Sequence, residues 1–498
     1  MEYTSTRDNS RRVTAAEAIV EGISREGGLF VPAEMPALTG EDLLALSKLD
    51  YTRRAVWVLS RFLTDWTEAE LAAAVEAAYG GDRFEDGDPA PLSRIGEGEY
   101  LLELWHGPTC AFKDMALQLL PKLLPAAAQK SGCREEIAIL VATSGDTGKA
   151  ALEGFRDVPG TRIMAFYPED GVSRMQKRQM TTQQGGNVAV MGIRGNFDDA
   201  QSGVKAIFGD PGMAETLRKR GFVLSSANSI NWGRLVPQIV YYISAYCQLL
   251  ADGELQPGEE VNFCVPTGNF GNILAGYYAK QMGLPVKMLL CASNRNNVLT
   301  DFIATGVYDR NRSFYTTTSP SMDILISSNL ERLVYLLAGK SDASTRERMD
   351  SLRETGVYRL EEPELAALRR EFYGGCCDDE AAAETIRATF ERCSYLCDPH
   401  TAVAVNVWEE YRRATGDRTK TVILSTASPC KFADTVLAAL GRPVPEDDFR
   451  RLAALEEAAG LTAPASLAAL QNAPCRFPEV CAPGEMGERV LAFLQVAE

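Results

Sequence analysis

The sequence predicts an α/β protein whose parallel strands are covered by helices on both faces. Residues 137–142 are a continuous apolar run of strand length, and residues 261–265 are apolar apart from Asn262, as expected for strands buried on both sides of a sheet. Each run is followed by a polar loop that contains glycine, and then by a segment with helical periodicity. Strand, loop and helix repeated in this order are typical of a parallel sheet between two helical layers.

The strands can be placed in order along the chain, and the polar residues that follow them mark one edge of the sheet. Residues 143–148, residues 267–272 and Thr426 each come directly after a strand. Ligands bind beyond the carboxyl ends of parallel strands, so we expect these three groups to share one site. The predicted strands are residues 137–142, 163–166, 188–191, 261–265, 288–292 and 422–424.

The chain is long enough for more than one domain. Residues 1–90 have mostly helical periodicity and end in a stretch rich in Gly, Asp and Pro, which is typical of a linker. We predict an N-terminal domain at residues 1–90, an α/β core at 91–440 and a C-terminal helical extension at 441–498. Residues 340–392 are rich in charge and helical in pattern, and are predicted to be a solvated addition to the core.

Composition disfavours several classes of protein. The chain has 498 residues, 46% of them hydrophobic, and a formal net charge of −16, which disfavours nucleic acid and anionic membranes as partners. No stretch reaches the roughly 20 apolar residues that a membrane span needs, and the first residues lack the apolar segment of a signal peptide. We expect a cytoplasmic protein, a monomer or small homo-oligomer, that acts on a small molecule.

A metal site is not expected. The 12 cysteines form no Cys-x-x-Cys pair, and the chain has two histidines, His106 and His400, which is too few for the usual zinc ligand sets. Both histidines lie in turns bounded by glycine or proline, and we interpret them as adjacent to a site. Cys376 and Cys377 lie in a Gly-Gly-Cys-Cys-Asp-Asp run that is predicted to be a surface loop.

One lysine lies at the start of a predicted helix whose apolar stripe points elsewhere. Phe112, Met115 and Leu119 have the spacing of that stripe, and Lys113 lies about 100° from Phe112 on the helix. Thr109 is the predicted N-cap. A partly desolvated amine near a helix N-terminus loses its proton more readily, as a lysine that forms a Schiff base must. On this segment alone, an exposed lysine on an amphipathic helix is an open alternative.

The loop at residues 267–272, Thr-Gly-Asn-Phe-Gly-Asn, follows a strand and begins a helix. Its two glycines allow the backbone to approach an anion closely, and the free N–H groups of a helix N-terminus attract phosphate. The glycine spacing is neither that of a P-loop nor that of a dinucleotide-binding motif. The loop is a candidate phosphate site, and an ordinary strand-to-helix turn is the alternative.

Two further segments offer groups for an anion. Residues 143–148, Thr-Ser-Gly-Asp-Thr-Gly, supply hydroxyl and amide groups at a helix start, which suits a carboxylate or phosphate. Ala150 stands where an NTPase motif needs a hydroxyl for magnesium, which excludes that motif. Residues 226–234 end in Arg234, whose guanidinium is a candidate bidentate ligand for an anion. A helix cap with an exposed arginine is the alternative for this segment.

Together these motifs resemble the threonine synthases of the longer bacterial and fungal type. The resemblance implies the fold of tryptophan synthase β and other fold-type II pyridoxal-phosphate enzymes: a two-lobed parallel-sheet core with an N-terminal helical domain and C-terminal helical additions. The matching segments, in chain order, are residues 28–32, 106–109 with 112–114, 143–148, 226–234, 266–271, 398–402, and Thr426 with Pro429 and 431–432.

The resemblance implies pyridoxal 5'-phosphate as cofactor and assigns roles to residues that match the family motifs. Lys113 would bind the cofactor covalently and act as the catalytic base, and Thr426 would contact the pyridine nitrogen. The other implied contacts are Gly268, Asn269, Phe270, Gly271 and Asn272 to the cofactor phosphate, Ser144, Asp146 and Thr147 to the substrate carboxylate and cofactor hydroxyl, and Asn231 and Arg234 to the substrate phosphate.

The implied activity is conversion of O-phospho-L-homoserine and water to L-threonine and phosphate, the last step of threonine biosynthesis. Ser428 departs from the family pattern, which often has histidine there, and Cys430 stands where alanine is common. A phospho-lyase that releases phosphate and a 2-oxo acid is therefore the alternative. We also expect a lobe at about residues 135–235 to close over the substrate.

Overall fold

The structure is a computed structural model that describes residues 1–495, apart from the side chains of Asp86 and Asp198. Its first elements are β1 (Tyr3–Ser5), β2 (Asp8–Val13), α1 (Ala15–Glu21), β3 (Phe30–Pro32), α2 (Gly40–Leu46), α3 (Tyr51–Phe62) and α4 (Glu68–Tyr79). Threonine hydroxyls cap α1, α2 and α4, each accepting the N–H of an acidic residue that reaches back to the cap. The sequence predicted the helices; the structure adds the antiparallel sheet β2-β1-β3.

A smaller lobe follows two antiparallel strands and two helices. Its sheet has the order β8-β7-β6-β9, with all pairs parallel. It buries its own apolar cluster, which includes Leu140, Phe166 and Ile193. The preceding strands and helices are β4 (Leu92–Gly96), β5 (Glu99–Glu103), α5 (Asp114–Leu117) and α6 (Leu120–Lys130). The elements of the smaller lobe are β6 (Glu136–Ala142), α7 (Asp146–Phe155), β7 (Thr161–Pro168), α8 (Arg174–Thr181), β8 (Val188–Ile193), α9 (Phe197–Gly209), α10 (Pro211–Lys219) and β9 (Phe222–Ser225).

The larger lobe contains a six-stranded sheet that includes β4 and β5, and the other strands and helices of this lobe follow in the chain. They are α11 (Trp232–Ala251), β10 (Val261–Pro266), α12 (Gly271–Met282), β11 (Val286–Ser293), α13 (Val298–Thr305), β12 (Val307–Asp309), α14 (Leu330–Leu337), α15 (Asp342–Glu354), β13 (Val357–Arg359), α16 (Glu362–Glu371), β14 (Phe372–Cys376), α17 (Asp379–Cys393), α18 (Pro399–Thr415), β15 (Thr421–Ser425) and α19 (Ala433–Ala439). The strand order is β14-β11-β10-β15-β5-β4, and the pairs are parallel except β4 with β5.

The six predicted strands are all present, each longer at one or both ends by one or two residues. The prediction of a surface loop at Cys376 and Cys377 is wrong in part: Cys376 is exposed, but it ends β14, which pairs with β11 at the edge of the sheet, and Cys377 is buried. Phe372 begins this strand and is buried against the rings of Phe270 and Tyr277, at centroid distances of 5.6 and 5.5 Å. This aromatic contact fixes a strand inside a segment that was predicted to be helical.

The C-terminal segment connects the two lobes. It contains α20 (Asp448–Ala459), α21 (Ala465–Ala468), β16 (Val480–Cys481) and α22 (Met486–Phe493). Leu455 and Leu467 pack in the cluster of the larger lobe, whereas β16 extends the smaller sheet beside β8 and Val490 joins that lobe's cluster. The structure thus adds a strand to the predicted helical extension.

Helix α11 is buried along most of its length, although it is the longest helix in residues 1–495. Trp232, at its start, packs against Tyr3, Phe62 and Tyr278, with ring centroids 5.3, 5.7 and 5.7 Å away. The N-terminal part therefore braces the segment that leads into this helix. Across residues 1–495, no helix combines the length and apolar character required to pass through a bilayer.

Candidate active site

Three neighbouring strands of the larger sheet bring Lys113, Thr426 and the loop at residues 267–272 together, and residues 143–148 reach the same site from the end of β6 in the smaller sheet. β5, β15 and β10 are adjacent and parallel. Lys113 follows β5, Thr426 follows β15 and the loop at residues 267–272 follows β10, so all three lie at the same edge of the sheet. They line a cavity of about 260 Å³. The predicted residues that line it are Lys113, Ser144, Asp146, Thr147, Arg234, Gly268, Asn269, Phe270, Gly271, Asn272 and Thr426.

Lys113 lies at the N-cap of α5, but the helix differs from the one predicted. α5 has four residues, and the chain restarts as α6 because Pro121 cannot donate a helical hydrogen bond. Gly154 of α7 lets the Leu117 carbonyl approach at this break, since a Cβ on Gly154 would lie 1.8 Å from that oxygen. Thr109 does not cap the helix: its N–H and hydroxyl both donate to Asp114, at 2.8 Å each.

The Lys113 amine is desolvated. Burial lowers its pKa to about 8, and the nearby Lys431 and Arg234 act in the same direction, while Asp146 opposes them. Its Nζ lies 3.9 Å from Asp146 Oδ2 and 4.7 Å from the centroid of the Phe112 ring. Near physiological pH this amine is therefore neutral far more often than an ordinary lysine, and the neutral form is the one that attacks a carbonyl or accepts a proton.

Asp146 acts as a counter-ion for lysines. Burial acts to raise its pKa, but Lys431 and Lys113 beside it hold the pKa far below its usual range. Its Oδ1 accepts from Lys431 Nζ at 2.6 Å and from Gln176 Nε2 at 2.9 Å. An ionised carboxylate repels a substrate carboxylate, so we withdraw the Asp146 side chain from that role. Ser144 and Thr147 line the cavity at the start of α7, and their contact with the substrate carboxylate stays a proposal.

The loop at residues 267–272 forms an anion cradle. Phe270 adopts a left-handed backbone (φ 63°), which turns the chain into α12. The first hydrogen bond of that helix runs from the Leu274 N–H to the Phe270 carbonyl, so the N–H groups of residues 271–273 have no acceptor within it. A Cβ on Gly268 would lie 2.7 Å from the Ser321 carbonyl oxygen, which explains the glycine at this position.

Two tyrosines on α11 orient the Asn272 side chain. The hydroxyls of Tyr241 and Tyr242 donate to its Oδ1 at 2.6 and 2.8 Å. Its buried Nδ2 has no hydrogen-bond partner among the described residues. A buried amide donor without a protein acceptor, beside free helix N–H groups, is suited to a bound anion.

Arg234 lines the same cavity and carries a charge that no described carboxylate neutralises. It is buried, its Nη1 donates to the Ala227 carbonyl at 2.5 Å, and its Nε has no hydrogen-bond partner among residues 1–495. Burial lowers its pKa to about 10. A buried guanidinium with an unpaired N–H is strongly destabilising until an anion binds it.

Asn231 is not brought to the cavity. It is fully buried as the N-cap of α11, where its Oδ1 accepts the Gly233 N–H at 2.8 Å. Its Nδ2 donates to the Ile19 carbonyl at 2.9 Å and also to the Ser226 carbonyl. All its polar groups are used in holding residues 226–234 against α1, so we withdraw it from the predicted substrate contacts.

Comparison with known proteins identifies the family. Residues 89–427 match the family model described as pyridoxal-phosphate dependent enzyme, residues 2–79 match threonine synthase N terminus, and residues 401–480 match threonine synthase, C-terminal. Threonine synthase of Pseudomonas aeruginosa is 40% identical over 437 residues, which cover 88% of this chain and 90% of that protein. The chain belongs to the threonine synthase family.

A relative and a solved structure extend the comparison. Human threonine synthase-like 1 is 42% identical over 447 residues, and the match covers 87% of this chain but 59% of that longer protein. The crystal structure of pyridoxal-phosphate-bound threonine synthase from Brucella melitensis superposes with a TM-score of 0.87 at 38% identity, covering 99% of this chain and 100% of that one. Membership of the family makes pyridoxal 5'-phosphate the cofactor of this site.

The cavity fits that cofactor. The unpartnered Asn272 amide and the α12 N-terminus suit its phosphate, and Lys113, which follows a strand two places away in the sheet, lines the same cavity with a desolvated amine. Thr426 also lines the cavity, and it follows β15, the strand between β10 and β5. Its carbonyl accepts the Phe112 N–H at 2.8 Å, which holds the segment next to Lys113 against the end of β15. These residues would hold the phosphate, the carbonyl carbon and the ring of the cofactor.

The departure at Ser428 does not reach the cavity. Ser428 is buried, and its hydroxyl caps the turn at Pro429–Phe432 by accepting the Cys430 N–H at 3.3 Å. Its N–H donates to the Cys110 carbonyl at 3.1 Å. The serine therefore has a local structural role, and it is not among the residues that line the cavity beside Thr426.

Sequence reasoning missed Ser321 and the role of Lys431, and left His400 without a function. Ser321 and His400 line the cavity, and Lys431 holds Asp146 from outside it. The loop that carries Ser321 has no periodicity to detect. The Asp-Pro-His-Thr run beginning at Asp398 could have indicated a role for His400, because a polar run at a helix start places its side chains near the ends of the neighbouring strands.

Proposed function

We propose that the chain is a threonine synthase, a lyase that cleaves the carbon–oxygen bond to phosphate (EC 4.2.3.1) and converts O-phospho-L-homoserine and water to L-threonine and phosphate. The observation that carries the proposal is that one cavity holds a desolvated lysine, an anion cradle and, on a separate element, the unneutralised Arg234. The cradle accounts for the phosphate of the cofactor. Arg234 then remains for an anionic group of the substrate.

The bound cofactor supplies an electron sink for the negative charge that develops at the substrate Cα. Lys113 takes the proton from Cα, because its amine is desolvated and accepts a proton near neutral pH. Ser144, Thr147 and the N-terminus of α7 bind the substrate carboxylate. Arg234 binds the substrate phosphate, and Thr426 would hydrogen-bond the pyridine nitrogen of the cofactor.

The products decide between this function and the phospho-lyase alternative. We expect the full chain, loaded with pyridoxal 5'-phosphate, to form L-threonine and phosphate in equal amounts from O-phospho-L-homoserine. In water enriched in ¹⁸O, the label should enter the threonine hydroxyl and not the released phosphate, because water adds to carbon after the carbon–oxygen bond has broken. Formation of 2-oxobutyrate without threonine would contradict the proposal and support the phospho-lyase. Labelled phosphate with homoserine would identify a phosphatase.

We also propose that the lobe at about residues 135–235 closes over the substrate and excludes water until hydration. The separate apolar cluster of the smaller sheet supports movement of this lobe as a unit. The domains would be residues 1–90, 91–440 and 441–498. Structures with and without a substrate analogue that show the same lobe angle would contradict the closure.

The setting of the enzyme is a further part of the proposal. We propose a cytoplasmic monomer or small homo-oligomer whose partner is a small-molecule substrate. The net charge of −16 supports the absence of nucleic-acid partners, because such a surface repels phosphate backbones. Light scattering of the purified full chain measures the oligomeric state, and a large assembly would contradict this part.

A further inference from the structure

We propose that Ser321 is a further catalytic residue, whose hydroxyl holds the Lys113 amine whenever that amine is not covalently bound, and that His400 is the residue that positions Ser321. This deepens the proposed function, on which it rests for the identity of the reaction. The family motifs quoted above do not include Ser321, which lies in the loop before α14.

The Ser321 hydroxyl lies beside both the lysine and its counter-ion. Its Oγ is 3.4 Å from Lys113 Nζ and 3.3 Å from Asp146 Oδ2. Asp146 is ionised and can only accept, so the hydroxyl hydrogen points toward Asp146. A lone pair of Ser321 Oγ therefore faces Lys113. The hydroxyl is an acceptor for the amine both before and after the amine takes up a proton.

His400 fixes the backbone of Ser321. The Ser321 N–H donates to His400 Nε2 at 3.2 Å, and because a backbone amide can only donate, this nitrogen carries no proton. The proton is then on Nδ1, which donates to Asp398 Oδ2 at 2.6 Å. The ring is buried and packs edge-on against Phe432, with centroids 5.0 Å apart. The imidazole is thus held in one tautomer and one orientation.

The same carboxylate supports the other side of the cavity. Asp398 is fully buried at the N-cap of α18, and its Oδ1 accepts from the Thr401 hydroxyl. Thr401 Oγ1 in turn accepts the N–H of Thr426 at 3.3 Å. One buried aspartate therefore orients both Ser321, beside the lysine, and Thr426, beside the predicted position of the cofactor ring. This gives the Asp-Pro-His-Thr run a role in the reaction.

Four charged groups influence the Lys113 amine: Asp146 and Asp114 favour its protonated form, and Lys431 and Arg234 disfavour it. Replacing Ser321 by alanine leaves all four in place and removes one hydroxyl, which accepts from Lys113 and donates to Asp146. A hydrogen-bond acceptor stabilises the ammonium form more than the neutral amine. Its loss should therefore shift the titration of Lys113 to lower pH.

The test measures the titration of Lys113 directly. The full chain is stripped of cofactor with hydroxylamine and treated with an amine-acylating reagent across a pH range, and acylation of Lys113 is quantified by peptide mass spectrometry. In Ser321→Ala we expect the midpoint to fall by about one unit, because a hydrogen bond to a charged group has about that effect on a protonation equilibrium. Ser321→Thr, which keeps a hydroxyl, should titrate like the wild type.

Variants of His400 test the positioning role. His400→Leu should shift the midpoint in the same direction as Ser321→Ala. His400→Gln retains an oxygen that can accept the Ser321 N–H, and should shift it less than half as far. In the loaded enzyme, Ser321→Ala and His400→Leu should each lower kcat about tenfold with KM within twofold of the wild type. The double variant should be no more than twofold slower than either, because both act through one contact.

Thr318→Val is the matched control. Thr318 lies in the same loop, but its hydroxyl donates to Asp379 on α17, at 2.9 Å, away from the cavity. A Ser321→Ala titration that coincides with those of the wild type and Thr318→Val would overturn the proposal. If instead no protein forms threonine but the titrations still differ, the proposed reaction fails while the contact between Ser321 and Lys113 stands.

Discussion

Replacing Lys113 by alanine is expected to reduce threonine formation by at least about 10³-fold, because the variant loses both the amine that binds the cofactor and the base that takes the Cα proton. The buried amine of Lys431 cannot substitute. Lys431 Nζ is tied to Asp146 at 2.6 Å and to the Thr109 carbonyl at 2.9 Å, with no side-chain exposure. The measurement is the initial rate of threonine formation by the full chain at saturating cofactor.

The control for this substitution is Lys130→Ala. Lys130 is exposed at the end of α6, where it pairs with Glu70, and its removal should leave the rate unchanged. Removing a desolvated lysine should not unfold the protein, since burial already disfavours its charge; circular dichroism and thermal melting check this. A Lys113→Ala protein that folds and retains a tenth or more of the wild-type rate would contradict the assigned role.

Replacing Arg234 by methionine is expected to separate binding from stability. KM for O-phospho-L-homoserine should rise about 10- to 100-fold, because a charge-assisted hydrogen bond contributes about 1.5–3 kcal/mol. The free energy of unfolding without ligand should stay equal or increase, since the buried guanidinium has no described carboxylate partner. Inorganic phosphate, the product, should raise the melting temperature of the wild type but not that of the variant.

Arg218→Met is the control for Arg234, because Arg218 is exposed on α10 of the smaller lobe. Initial rates, thermal melts with and without phosphate, and the cofactor dissociation constant are measured for all three proteins. An unchanged KM in Arg234→Met would contradict the role in substrate binding. A loss of cofactor affinity at unchanged KM would place Arg234 at the cofactor phosphate instead.

The cradle and the convergence of the site could be predicted from the sequence because each depends on local order. A buried strand followed by a glycine-containing loop and a helix specifies both a helix N-terminus and its position at the carboxyl edge of the sheet. Residues 267–272 satisfy this pattern, Thr426 directly follows a buried strand, and both line the cavity. Lys113 could be placed off the apolar stripe of its helix, but its desolvation depends on residues from other parts of the chain.

What could not be predicted depends on contacts between distant segments. Asn231 was a plausible substrate ligand until the structure showed its amide bound to Ile19, 212 residues earlier in the chain. Ser321 approaches Lys113 across 208 residues, and no pattern within its own loop indicates that contact. Asp146 has the appearance of a substrate contact in its motif, yet it lies 2.6 Å from Lys431 Nζ and 3.9 Å from Lys113 Nζ and is a counter-ion for both lysines.

The most direct test of the central claim is to trap the cofactor on the protein. The yellow, cofactor-loaded full chain is reduced with borohydride and digested, and the modified peptide is identified by mass spectrometry. The account predicts that reduction bleaches the colour and leaves a single pyridoxyl group, on Lys113. A colourless protein after loading, or a label on a lysine other than Lys113, would contradict it.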